Sequence, residues 1–267
     1  MIHAVLFDLG GTLHTVDRSE ALQVSFARRL IDRLGVYDIA IKSQPEELGK
    51  LLQENAAEYK CASEKLGREL PPPRIWNEYY LKQFEIGEER LAPIAEELSF
   101  IYDYERVCNK RRPKLVETIE TLDGMGFQQG IISNMISVSF VPHMLKEHGV
   151  DKYMSCVIVS SEVGLRKPDR RIFDMALEVL GRRPEEAAYV GDTISRDVLG
   201  ARNAGLALAI QIKHSSVAHI DAPLKEKGPK PDFLIDSLDE IPQIIREYNF
   251  SALATRNVNK IQSFFNR

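Results

Sequence analysis

Short apolar runs recur along this chain, and they constrain its fold more than any other feature. They read "HAVLF" at 3–7, "GIIS" at 130–133, "CVIVS" at 156–160, "AAYVG" at 187–191, "LALAIQI" at 206–212 and "FLI" at 233–235. Runs this brief, bounded by glycine or polar residues, read as strands buried on both faces rather than as helices. Between them lie residues at helical spacing: Leu115, Ile119 and Leu122; Ile172, Ala176 and Leu180; Leu238, Ile241 and Ile245. Strands alternating with helices predict an α/β fold built on a doubly wound parallel sheet.

One interval breaks the alternation. From about residue 15 to 110 the pattern is helical throughout: Leu22, Phe26, Leu30 and Leu34; Leu48, Leu52 and Tyr59; Ile75 and Tyr79; Leu91, Ile94 and Leu98. "PPP" at 71–73 cannot continue a helix and divides two of these segments. The expectation is a core formed by 1–14 and 110–250, a helical insert at 15–109 with no strand of its own, and a C-terminal extension at 251–267. In that extension Val258, Ile261 and Phe265 fall on one helical face, suited to packing on the core or to a homodimer contact. Trp76, Tyr79 and Tyr80 are expected in the interior of the insert rather than in a pocket.

Composition narrows the class. With 35 Lys+Arg against 39 Asp+Glu the net charge is -4, and no basic tract is dense enough for nucleic acid. "KRRPK" at 110–114 reads as a solvated helix start. Cys61, Cys108 and Cys156 are far apart with no CxxC pair, which argues against a disulfide framework or a zinc knuckle. No run approaches a membrane span and no leader pattern opens the chain, so no membrane partner and a cytoplasmic location are expected.

Ligands of open parallel sheets bind beyond the carboxyl ends of the strands. There the sequence places Asp8, then Ser133 and Asn134, then Lys167 in "EVGLRKPD", then Asp192 and Asp197 in "GDTISRD". Singly, a strand-end Asp is more often a cap, Ser-Asn a turn and Gly-Asp a loop dipeptide. Together in this order, carboxylates, one ammonium and one hydroxyl describe a place for a divalent cation and a phosphate. Magnesium takes oxygen ligands and keeps waters, and a phosphoryl group needs its charge neutralised. Asp8 would then attack phosphorus and form an aspartyl-phosphate.

"FDLGGTL", "ISN", "LRKPD" and "GDTISRD", in this order beside strands, resemble the four motifs of the haloacid dehalogenase-like hydrolase superfamily, whose core is Rossmann-like. The insert sits where that family carries an alpha-helical cap. The resemblance implies a Mg²⁺-dependent phosphatase of small phosphorylated molecules, with Asp8 as nucleophile and Ser133 and Lys167 as phosphate-orienting groups. Thr12 and Asn134 join the implied substrate-binding set, and Lys167 is counted with Asp8 as catalytic. Asp8, the Gly10 carbonyl, Asp192 and Asp197 are the implied metal site, Asp192 most directly.

The departure is Gly10, where family phosphatases usually carry a second Asp that protonates the leaving group and later deprotonates water. A positioned acid or base contributes roughly a hundred- to ten-thousandfold, so a slow phosphatase favouring good leaving groups is expected unless another side chain substitutes. His14 is one candidate, although a polar hinge residue is its plainer reading, and a cap residue is another. Two alternatives stay open. One is a phosphonatase-like cleavage of a carbon–phosphorus bond through a cap lysine among Lys42, Lys50, Lys60, Lys65 and Lys82. The other is a non-catalytic module that binds Mg²⁺ and phosphate and engages a protein partner.

Overall fold

The computed structural model describes residues 1–214, 221–224 and 227–265. Its centre is a six-stranded sheet ordered β5-β4-β1-β6-β7-β8, with every pair parallel. The strands are β1 (Ala4–Phe7), β4 (Gln128–Ser133), β5 (Met154–Val159), β6 (Ala187–Gly191), β7 (Leu208–Ile212) and β8 (Phe233–Ile235). All six correspond to the apolar runs of the sequence. From β1 the chain adds β4 and β5 on one side, then crosses to add β6, β7 and β8 on the other. The switch point lies at the carboxyl end of β1, with the ends of β4 and β6 flanking it.

The insert contains helices α1 (Glu20–Val36), α2 (Pro45–Leu66), the short α3 (Pro72–Ile75) and α4 (Glu88–Leu91), and α5 (Ala95–Glu105). Ser19 caps α1 by accepting from the Leu22 N–H at 3.2 Å. The apolar face expected of α1 is the buried one: Phe26, Leu30 and Leu34 pack with Leu48, Leu52, Trp76 and Leu98 in a hydrophobic core of the insert. Two further clusters cover the sheet, one including Phe7, Ile119, Phe140 and Ile245, the other Leu6, Ile132, Phe173 and Tyr189. Helices α6 (Leu115–Gly124), α7 (Phe140–His148), α8 (Ser160–Val163), α9 (Arg170–Leu180), α10 (Leu199–Ala204) and α11 (Ile241–Phe265) complete the chain.

Three expectations are corrected. The insert is entered and left through strands β2 (His14–Asp17) and β3 (Cys108–Arg111), an antiparallel pair in the register His14↔Arg111 to Asp17↔Cys108. Four-residue strands of mostly polar sequence, "HTVD" and "CNKR", carry no apolar alternation, so periodicity is blind to them. "KRRPK" is therefore not a helix start: Lys110 and Arg111 belong to β3, and Lys114 alone caps α6. No separate element begins at 251, because α11 continues through it. The side chains of Val258, Ile261 and Phe265 lie outside the described residues.

The three cysteines are unbridged. Among the described residues no helix is long and apolar enough to cross a membrane.

Candidate active site

Asp8 follows β1 directly and is 7% exposed. Its backbone N–H donates to the Val190 carbonyl at 2.9 Å, which continues the β1–β6 ladder one residue further. Its Oδ1 accepts from Lys167 Nζ at 2.8 Å and from Ser133 Oγ at 3.3 Å. Among the described residues Oδ2 accepts no hydrogen bond. Burial pushes the Asp8 carboxyl up to about 6; Lys167 opposes that, while Asp197 and Asp192 add to it.

Lys167 uses all three ammonium protons, on Asp8, on Asp197 Oδ1 at 2.7 Å and on the Tyr189 hydroxyl at 2.7 Å. Burial alone would lower its pKa, but Asp197 and Asp8 outweigh burial and hold it above the ordinary lysine value. Asn134 fixes the lysine backbone from both sides: its Nδ2 donates to the Lys167 carbonyl at 3.0 Å, and its Oδ1 accepts the Lys167 N–H at 2.9 Å. Asn134 thereby positions the catalytic candidate.

Asp197 is held from several directions. Its Oδ2 accepts the Thr193 N–H at 3.0 Å and the Thr193 hydroxyl at 2.6 Å, and Oδ1 serves Lys167 and Tyr189. Burial would raise its carboxyl, but Lys167 and Arg196 outweigh burial and hold it below the ordinary range. Asp8, Asp192 and Asp197 nevertheless offer oxygens all within 4.8 Å of one another, a donor set suited to a hard divalent cation. The Gly10 carbonyl accepts no hydrogen bond among the described residues, and Gly10 lines the same cavity as the three carboxylates. Both Asp197 oxygens already accept hydrogen bonds, and its Oδ1 holds Lys167.

Two glycines make this closeness feasible. Gly11 has φ +88, and a Cβ there would run into the Asp192 carboxylate. A Cβ on Gly191 would strike Asp197. Thr12 is not among the residues lining the cavity: it is fully buried, and its hydroxyl has no hydrogen-bond partner among the described residues.

These residues line one wall of a cavity of about 500 Å³ whose opposite wall comes from the insert, including Gln53, Lys60, Tyr80 and Tyr102. Trp76 is wholly interior, with Nε1 donating to Ser99 Oγ at 2.9 Å, whereas Tyr80 is buried and also reaches the cavity. His14 opens β2, the strand that leads into the insert. It is fully buried, its Nδ1 lies 3.2 Å from His148 Nε2, and its own Nε2 has no hydrogen-bond partner among the described residues. Burial first, then His148, Arg112 and His214, push it down to about 3, so the ring is neutral. A Cβ at Gly10 would sit 3.9 Å from that Nε2. Asp103 also lines the cavity, with burial pushing its carboxyl up to about 7.

Other contributors were not read from the sequence. Arg112 donates to the Gly11 carbonyl through Nη2 at 2.6 Å and to the Lys213 carbonyl at 3.0 Å, tying the first motif to β7's exit. His214 Nδ1 lies 3.3 Å from Asp192 Oδ2. Glu69 of the insert is buried against Arg166, the Tyr59 hydroxyl and Ser160 Oγ, the last at 2.6 Å. Tyr189 was legible as strand interior, but not as a partner of Lys167. Their links to the site span up to about a hundred residues or more, and no local spacing signals them.

A model of the haloacid dehalogenase-like hydrolases matches residues 2–205. The chain belongs to that family. It is 29% identical to a glyceraldehyde 3-phosphate phosphatase of Methanopyrus kandleri, over 92% of this chain and 98% of the relative. It is also 29% identical to a phosphoglycolate phosphatase of Vibrio parahaemolyticus, over 60% of this chain and 63% of that one. Among solved structures, a HAD phosphatase from Thermococcus onnurineus superposes with a TM-score of 0.56 at 25% identity, covering 92% of this chain and 98% of the other. This hydrolase therefore has the parallel α/β core anticipated from its apolar runs.

Proposed function

We propose that this hydrolase is a magnesium-dependent phosphatase of small phosphorylated metabolites that works through an aspartyl-phosphate on Asp8. The observation that carries the reading is the asymmetry of the Asp8 carboxylate. One oxygen is pinned by Lys167 and Ser133, and the other is left to attack. Asp8 Oδ2 forms the bond to phosphorus as the bond to the leaving oxygen breaks; water then attacks phosphorus and releases phosphate and the free carboxylate. Lys167 Nζ and Ser133 Oγ both donate to Asp8 Oδ1 in the free site, and each would exchange that bond for one to a phosphoryl oxygen as charge shifts there.

Magnesium would be held by Asp8, Asp192 and the Gly10 carbonyl, with Asp197 behind, and would supply neutralisation of phosphoryl charge. Residues 15–109 act as the cap over a core of 1–14 and 110–250, excluding water and selecting the substrate. Gly10 leaves the usual proton-transfer position without a carboxylate, and His14 Nε2 is the polar atom beside it. The names of the relatives support small phosphorylated substrates without choosing among them.

A rapid-mixing time course with p-nitrophenyl phosphate and Mg²⁺ tests this, run beside Asp8→Asn. A burst followed by slow turnover, absent in the variant, is expected; equal release by both proteins overturns the reading. Lys60 favours a second reading, because of the five insert lysines named above it alone lines the cavity with Asp8. Burial, then Arg196, lowers its pKa, as Schiff-base chemistry on a carbonyl phosphonate requires. Borohydride inactivation in the presence of phosphonoacetaldehyde, lost in Lys60→Arg, would select it.

A further inference from the structure

The cavity over Asp8 adjoins a second one of about 550 Å³, and Arg18, Gln53, Lys60, Tyr102 and Arg106 line both. Three cations thus stand at the neck between them. The other cations of the inner cavity are answered by acids. Lys167 is saturated, Arg166 is paired with Glu69, and Arg196 is favoured by Asp192, Asp197 and Asp8 against the cost of burial.

The neck cations are not answered in this way. Arg18 forms no hydrogen bond or ion pair among the described residues. Arg106 lies with its Cζ 4.1 Å from the centre of the Tyr102 ring, and its buried Nε has no hydrogen-bond partner among the described residues. Among the described residues the one ion pair of Lys60 is with Glu64 at 4.0 Å, with both side chains substantially exposed. Burial and then Arg106 pull the Arg18 pKa down; burial, then Arg196, with Arg166 and Arg18 adding, pull Lys60 down. Asp103 is attracted to Arg106, but burial outweighs that and raises its carboxyl to about 7, one of its oxygens is spent on the Ser137 N–H at 3.1 Å, and no ion pair joins the two among the described residues. Glu20 and Glu46 belong to the outer cavity, beside Lys50.

Clustered cations inside a cleft disfavour one another until an anion enters. An arginine with an open Nε and one exposed to the cleft offer donors that match a planar or tetrahedral oxyanion.

We propose that Arg18, Lys60 and Arg106 form an anion subsite, so that the substrate carries a second anionic group, carboxylate or phosphate, at the end remote from the phosphoryl group at Asp8. This rests on the phosphatase reading above, and it separates the substrates in the relatives' names: phosphoglycolate carries such a group and glyceraldehyde 3-phosphate does not.

The test uses the full chain with Mg²⁺ and two matched pairs of substrates. The carboxylate arm compares 3-phosphoglycerate with glyceraldehyde 3-phosphate. The phosphate arm compares propane-1,3-diol bisphosphate with its monophosphate. In at least one arm the anionic member is expected to have the higher kcat/KM by roughly tenfold or more, the scale of one charge-assisted hydrogen bond. Arg18→Met and Arg106→Met should each shrink that ratio; Arg18, at the exposed end of the neck, guards against a folding defect at Arg106. The same ligands are titrated calorimetrically into Asp8→Asn with Mg²⁺. Charge-selective binding there without turnover by the unsubstituted protein would sink the phosphatase reading and leave the subsite standing. Equal kcat/KM and equal affinity within both pairs, unmoved by either variant, would overturn the subsite.

Discussion

Restoring a carboxylate at Gly10 is the most direct way to ask what this site lacks. Sterically the change is feasible. Gly10 is not among the residues with positive φ, and a Cβ there meets only Met135 Cε at 3.3 Å and His14 Nε2 at 3.9 Å. The methionine contact is the far end of a flexible side chain, and a shift of a few tenths of an ångström relieves it. Gly10 lines the same cavity as Asp8, so an Asp there is expected to serve the leaving group. A positioned acid or base is worth roughly a hundred- to ten-thousandfold, about 3 to 5 kcal/mol of barrier. An alkoxide leaving group needs the proton most and p-nitrophenolate least. The expected result for Gly10→Asp is therefore a rise in kcat/KM for an alkyl phosphate relative to p-nitrophenyl phosphate, by roughly a hundredfold or more. Gly10→Asn fills the same space and carries no transferable proton, so it should leave the ratio where it is. If both variants stay folded and the ratio moves in neither, proton transfer at this position is not what limits the enzyme.

Three further outcomes follow from the geometry. Asp8→Asn should abolish the phosphatase burst while leaving thermal unfolding in place, and retained turnover would remove Asp8 as nucleophile. Glu69→Gln leaves Arg166 uncompensated in a site where the two side chains are 0% and 7% exposed. Breaking such a pair costs about 3–5 kcal/mol, or about 5–20 °C of Tm for a chain of this size, and a fall below about 2 °C in a thermal melt would refute it. Asp103 has its folded pKa raised from 3.8 to about 7. Its contribution is complete below the unfolded value and is lost as pH rises through about 7. Asp103→Asn should accordingly gain in Tm relative to the parent between pH 5 and pH 8, and a constant difference across that range would contradict the assignment.

The six sheet strands and the long helices of the insert were legible because their signal is local. A strand buried on both faces must be apolar along its length, and an amphipathic helix must repeat its apolar residues every three or four positions. α7 obeyed the same rule, with Phe140, Val141, Met144, Leu145 and His148 buried, although no helix had been anticipated there. β2 and β3 were illegible for the opposite reason, since both consist largely of polar residues.

By itself the sequence determined the family, the order of the six sheet strands along the chain, the presence of Asp8, Ser133 and Asp192 at strand ends, and that of Lys167 in the loop between α8 and α9. Chain chemistry sufficed there, because a parallel sheet delivers its strand ends to one edge. Tertiary structure decided what each residue does at that edge. Folding brings Lys167 within 2.8 Å of a carboxylate 159 residues away, turns both Asp197 oxygens toward partners, buries His14 against His148 and sets the half-exposed Lys60 at the edge of the cavity. Those roles depend on distance and burial, which set electrostatic strength and proton affinity, and neither quantity is carried by spacing along the chain.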